Sequence, residues 1–288
     1  MFLRNDLALT WRDRVGTKCL LHVKDALDPR STREETDCLA TTMACFHRRY
    51  NLGDRGIPQS AEEFWQDLVA KYIPNEEITK KAFAGEIPNV TVSEDSRGLY
   101  VVSIYGEVFY SEIERREDIG IYVAGEMDIP QCMTLLTPYA VWKKLYLYDH
   151  SGLSISASTS SNPYSDSWDS GILGWIVCEK ARLQELRGDI DDNDWQSIAE
   201  KEIDTDVMLY DAYLHNEVYG YDLYVDRDGE WELENTCLGG FYGDDPVESG
   251  LAGDVGHDLE MAISSNSVLE GIAKENRTVS YSFEFAAS

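Results

Sequence analysis

The 288 residues carry 53 acidic against 25 basic side chains, a formal net charge of −28, and 43% of them are hydrophobic with seven Trp and 17 Tyr. That composition excludes a disordered acidic tail, because it can fill a core of one large or two ordinary domains, and the charge argues against direct nucleic-acid binding. No apolar run reaches the roughly 20 residues of a membrane span and no signal-peptide core precedes the charged N-terminus, so a soluble cytoplasmic chain is expected.

The acid is regional. Residues 1–58 sum to +2 and residues 59–288 to −30, and between Arg182 and Asn235 there are 17 acidic and four basic side chains. A field of that sign steers a surface toward basic partners, including the DNA-binding grooves of other proteins. The six cysteines contain no CxxC pair, so neither a zinc ribbon nor a disulfide scaffold is expected.

In chain order, "TKCLLHV" predicts a strand, and "ALDPRSTREETDCLATTMACFHRR" offers a helical stretch after Asp28 and Pro29 that "YNLGDRG" breaks. Ser60, with Glu63 three residues on, predicts an N-cap. Phe64, Trp65, Leu68, Val69 and Tyr72 follow at helical spacing, ending before Pro74. From Val90 to Gly125 the period changes to two, which predicts antiparallel strands punctuated by Gly98, Gly106 and Gly120. "VWKKLYLYDHSGLSISAS" predicts a strand, a turn at His150-Ser151-Gly152 and a second strand. After a Ser-rich loop, Asp169-Ser170-Gly171 turns into a strand from Leu173 to Cys178. Trp195, Ala199, Ile203, Val207, Tyr210 and Leu214 form one helical stripe, and "EVYGYDLYVDRDGEWELEN" a hairpin turning at Asp226 to Gly229. A turn-rich tail with one helix and a final strand completes the chain. The expected class is α+β: a mostly antiparallel sheet with flanking helices and a small mixed N-terminal unit, divided as an N-terminal unit over 1–88 and an acidic main domain over 89–288.

Asp149, His150 and Ser151 supply the residue types of a catalytic triad, but neighbours on a strand point to opposite faces and no G-x-S-x-G elbow surrounds them. A turn fixed by side-chain-to-backbone hydrogen bonds is the better reading. A composite metal site from His150, Asp166 and Asp169 is an alternative, since sequence separation does not forbid approach. "DRDGEWELE" does not meet the calcium-loop order, and no phosphate-binding loop is present, so no cofactor is expected. Arg48, Arg49 and Tyr50, beside His47, make a locally basic patch. It reads either as a contact with an acidic surface such as another copy of the chain, or as helix-end cations.

Two segments, "TMACFHRRYNLGD" (Thr42 to Asp54) and "YDHSGLSIS…SWDSGILGWIVCEK" (Tyr148 to Lys180), together with "VYGYDLYV" and "GGFYGDD", resemble a family of phage-encoded acidic proteins with His-Ser-Gly and Trp-Asp-Ser-Gly turns. The likeness runs in pieces over residues 38–245 and is closest to the anti-Gabija proteins, departing at Ile172-Leu173, where a more polar pair is common. It implies an inhibitor in the cytoplasm of the infected bacterial host that oligomerises around the Gabija nuclease-helicase complex and keeps it from binding or cutting DNA.

The expected function is therefore a non-enzymatic viral inhibitor of a host defence complex, acting by protein-protein occlusion and assembling as a homo-oligomer. Tyr210, Tyr213, Tyr219, Tyr221, Asp222 and Trp231, in the acidic aromatic stretch, are the expected partner-binding residues, although each aromatic is also a candidate for the core of the helix-hairpin unit. The competing readings are a DNA mimic that blocks restriction enzymes by charge alone, a hydrolase or metal enzyme around His150 and Asp169, and a virion or scaffold protein.

Overall fold

The computed structural model describes residues 1–34, 36–166 and 168–272. The chain is α+β, with helices flanking three sheets. Among the described residues two compact units form: one from Met1–Glu34, Tyr148–Ser156 and residues 205–272, the other from residues 36–147 and from those between Ala157 and Asp204. This division differs from the sequential blocks 1–88 and 89–288, because strands far apart in sequence pair within one sheet.

The first unit is built on a five-stranded antiparallel sheet in the order β11-β10-β2-β1-β12. Its strands are β1 (Leu7–Arg12), β2 (Lys18–Asp25), β10 (Val218–Arg227), β11 (Glu230–Tyr242) and β12 (Leu269–Ile272). Alternation along these strands sends Leu9, Leu21, Val23, Tyr219 and Tyr221 to one face, where they pack with Leu251 and Ala252 of α7 (Leu251–Val255) and Leu259 and Ala262 of α8 (His257–Ser264). The tail thus holds two short helices where one was expected; Gly256, at φ 135°, separates them. The β10–β11 hairpin turns on Asp228 and Gly229, at φ 56° and 91°, the two positive angles of a type I′ turn.

The second unit holds an antiparallel sheet of β4 (Val90–Glu94), β5 (Tyr100–Ile104) and β6 (Glu107–Ile113). It also pairs, in this order, β3 (Thr41–Cys45), β9 (Ser170–Glu179) and β7 (Ala140–Asp149); β8 (Leu153–Ser158) follows β7 in the chain. Helix α1 (Ala61–Tyr72) begins as predicted, with Ser60 Oγ accepting the Glu63 N–H at 3.0 Å. It packs Trp65 and Val69 into a core shared with Ile78 of α2 (Asn75–Ala84), Ile119 and Val123 of α3 (Ile119–Glu126) and Leu136 of α4 (Ile129–Leu136).

Two expectations are corrected here. The stretch expected to be helical before His47 contains a single 3₁₀ turn, Thr36–Cys38, and strand β3, because pairing with β9 buries Thr41, Met43 and Ala44 more fully than an isolated helix would. The run "IGIYVAG", expected as strand, is α3: Ile119, Val123 and Met127 recur at four-residue spacing and all three are buried. Gly120 permits this packing, since a Cβ there would lie 2.0 Å from the Asn75 carbonyl oxygen of α2. Helices α2, α4 and α5 (Lys180–Arg187) were not anticipated, although Asp128 and Gln131 complete a capping box at the start of α4. Among the described residues no helix is long and apolar enough to cross a membrane.

Candidate functional site

Helix α6 (Trp195–Leu214) turns the predicted stripe inward, and the β10 alternation does the same for two tyrosines. Tyr210, Tyr219 and Tyr221 are therefore 4%, 7% and 0% exposed, which corrects their assignment to a partner surface. Tyr221 sits under α7 and α8, its hydroxyl donating to Asp254 Oδ2 at 2.6 Å and accepting from Asn235 Nδ2 at 3.2 Å. Burial, with Asp254 beside it, pushes the phenol well above its usual range. Tyr213 is half-buried and stacks on Tyr210 at 6.0 Å.

Asp222, on the opposite face of β10, is held by Lys24 Nζ at 2.6 Å and Thr236 Oγ1 at 2.5 Å. Burial works against its charge, but these donors outweigh burial and hold its carboxyl below the usual carboxylate range. A depressed native pKa adds stability above the unfolded value of about 3.9, lost as pH falls through the native value. Urea unfolding of Lys24→Met should accordingly show its largest stability deficit near neutral pH and a shrinking one toward about pH 2; a deficit independent of pH would refute the pairing.

The distal hairpin is one accessible part of the acidic stretch. Glu230, Asp228, Glu232, Glu234 and Leu233 are exposed there, Trp231 is half-buried, and Arg227 bridges Glu232 and Glu234 at 3.1 and 2.7 Å. Along one side Asp13, Thr17, Asp226 and Glu234 line an open groove of about 650 Å³. The type I′ turn and the nine paired positions of β10 and β11 hold this acidic, partly apolar surface on a paired ribbon, a form that can enter a groove.

A second accessible surface lies where β3 ends and β9 begins. The antiparallel register pairs Cys45 with Gly174, and the Phe46 N–H donates to the Leu173 carbonyl at 2.8 Å. Gly174 is required, because a Cβ would stand 1.9 Å from the Ala44 carbonyl oxygen. Beyond β3 the chain loops out and returns at Asp54, whose carboxylate accepts the Met43 N–H at 3.0 Å and whose own N–H donates to the Met43 carbonyl at 2.9 Å. The closed loop stacks His47 on Tyr50 at 5.2 Å and places the Arg49 guanidinium 5.6 Å from the Tyr50 ring centre. Arg48 and Arg49 are exposed and follow a strand, so the helix-end reading of these cations is corrected.

From the β9 side comes a feature the sequence reading overlooked. Trp168, in the Trp-Asp-Ser-Gly turn, is 94% exposed, and Ile172 at the start of β9 is 57% exposed. The loop beneath them is ordered by its own polar groups: Asp166 Oδ1 accepts the Trp168 N–H at 2.8 Å, Asn162 Nδ2 donates to Ser170 Oγ at 2.8 Å, and Ser170 Oγ donates to the Asp166 carbonyl. The signal was available, since a Trp flanked by Asp and Ser has no apolar neighbour to bury against.

The His-Ser-Gly segment is a turn between β7 and β8, with Ser151 at φ 61° and the His150 ring stacked on Tyr148 at 5.9 Å. Its continuation is anchored where Ser154 Oγ and the Ile155 N–H donate to Asp211 Oδ1 at 3.0 and 2.7 Å. Among the described residues no group of three His, Cys, Asp or Glu side chains is arranged to hold a metal ion, which corrects the composite site of His150, Asp166 and Asp169. In comparisons with protein-family models, with curated proteins and with solved structures, nothing matches this chain.

Proposed function

We propose that this chain is a phage-encoded inhibitor that binds a DNA-acting nuclease complex of the Gabija type in the cytoplasm of the infected bacterium and occludes its DNA-binding surface. The observation that carries the reading is the distal β10–β11 hairpin, where four exposed carboxylates surround an exposed Leu233 on a paired ribbon. A DNA groove in a nuclease is lined by cations and dimensioned for a rod. An acidic ribbon offers charge of the right sign, and Leu233 and Trp231 offer contact area that duplex DNA lacks. The resemblance of the His-Ser-Gly and Trp-Asp-Ser-Gly segments to anti-Gabija proteins supports the choice of target.

Co-expression of the tagged chain with a Gabija complex, followed by a DNA-cleavage assay on the eluate, tests this. A stable, cleavage-dead assembly that is lost with Glu230→Lys, Glu232→Lys and Glu234→Lys together is expected. No association with cleavage intact would sink it. A pure DNA mimic differs in that binding would collapse between about 0.1 and 0.5 M salt and ignore Leu233→Ala and Trp231→Ala, whereas a shaped interface loses affinity on both substitutions and tolerates the salt.

A further inference from the structure

We infer that the chain takes an extended segment of its partner, in which basic and apolar residues alternate, as an added strand along the outer edge of β11. In the five-stranded sheet β11 is the terminal strand, and among the described residues it pairs with β10 alone. An edge strand offers a row of unpaired N–H and C=O groups, which proteins usually blunt with lysine, proline or a short length. β11 has 13 residues and neither lysine nor proline. This strand addition rests on the reading of the distal hairpin as the partner surface, and it names what that surface recognises.

The turn decides which backbone groups are offered. A two-residue type I′ turn is closed by a hydrogen-bonded pair, here Arg227 and Glu230, and hydrogen-bonded and open positions alternate from there. Glu230 and Glu232 therefore direct their backbone groups to β10, while Trp231 and Leu233 direct theirs to the open edge. Among the described residues no hydrogen bond from another element reaches the backbone of Trp231 or Leu233. Beyond Leu233 the register shifts at Glu234, and the Thr236 N–H is already taken by Asn235 Oδ1 at 2.9 Å. The open stretch is thus short and defined, its N–H donors and C=O acceptors supplied by Trp231 and Leu233.

Charge and polarity choose the occupant. From Asp226 to Glu234 the hairpin carries five carboxylates and one cation, Arg227, whose guanidinium is shared by Glu232 and Glu234 at 3.1 and 2.7 Å. Residues directly opposite in neighbouring strands put their side chains on the same face, so a strand laid along β11 meets Glu230 and Glu232 on one face and Trp231 and Leu233 on the other. Lysine or arginine alternating with a β-branched residue answers both faces, because opposite-charge and aromatic–β-branched pairs are favourable across strands. A second copy of β11 is disfavoured by the same rule, since its glutamates would lie against these. In strand addition the main-chain hydrogen bonds supply affinity and the alternate side chains supply specificity, so an extended basic segment is preferred over the same charges on a helix.

The experiment titrates the full chain, with no nuclease present, into a fluorescent peptide that alternates lysine and valine over about seven residues, at about 0.15 M salt, and reads anisotropy. N-methylation removes amide donors from one edge of the peptide and leaves its charge unchanged. The expected result is saturable binding in which methylating one alternate set of amides, the valines in an antiparallel addition or the lysines in a parallel one, lowers affinity on the order of tenfold or more, while methylating the other set does not. Hydrogen exchange at the Trp231 and Leu233 amides should slow when the peptide binds. No binding up to about 1 mM, the same response to both methylated sets, or unchanged exchange at these two amides overturns the inference. So does equal binding of a peptide with its lysines and valines in separate blocks, which assigns the surface to charge alone. Peptide binding without a co-purified nuclease would strike the Gabija target and leave strand addition standing; a cleavage-dead assembly without peptide binding would do the reverse.

Discussion

Asp206→Ala should lower the unfolding free energy by about 3–5 kcal/mol, the range for breaking a buried ion pair from one side. Arg33 Nη1 lies 3.2 Å from Asp206 Oδ2, and the two side chains are only 1% and 8% exposed. Truncating the aspartate removes a carboxylate that offsets the desolvation of the Arg33 guanidinium in a low-dielectric interior. The pair ties the segment following β2 to the middle of α6, so the loss is felt across the first unit. At roughly 2–4 °C per kcal/mol for a chain of this size class, thermal unfolding should fall by about 10 °C. Replacing both partners, Arg33→Met with Asp206→Leu, removes both charges and should recover most of the loss, because well-packed apolar groups at a buried pair are near neutral or stabilising. A single variant within about 1 kcal/mol of the parent in urea denaturation would show that water reaches the pair and that its burial is not energetic.

Trp65→Ala should cost a similar amount, about 3–5 kcal/mol, by a different cause. Trp65 is fully buried and meets Trp142 edge-on at 5.4 Å, Trp175 at 6.1 Å and Phe64 at 5.7 Å. Deleting the indole opens a cavity among rings that cannot collapse into it, since each is held by its own strand or helix. Its Nε1 is buried without a hydrogen-bond partner, so Trp65→Phe gives up volume but also removes an unsatisfied donor and should cost under about 1.5 kcal/mol. Urea unfolding followed by far-ultraviolet circular dichroism separates the two, and equal losses in both variants would place the energy in the fused shape of the indole, which a phenyl ring does not fill. The cluster continues through Trp175 to Phe46 at 6.1 Å, where the loop bearing Arg48 and Arg49 begins.

Charge, class and the strongest local signals were legible before any coordinates. Ser60 as an N-cap, the α6 stripe and the Asp228-Gly229 turn depend on neighbours within a few residues, and all three stand where the chain alone places them. Short apolar runs were not legible in the same way. "IGIYVAG" satisfies both a two-residue and a four-residue period, and "TTMAC" satisfies neither well; packing of Gly120 on α2 decided the first and pairing with β9 decided the second.

The candidate surfaces divide along the same line. Acidity between Arg182 and Asn235 is a property of composition, so the sequence by itself determined the sign of the field that this stretch contributes. Which aromatics face outward is a property of burial, a global quantity set by elements distant in sequence. Only the tertiary structure placed Tyr219 and Tyr221 beneath α7 and α8, left Trp168 in solvent, and closed the loop bearing Arg48 and Arg49 at the end of β3.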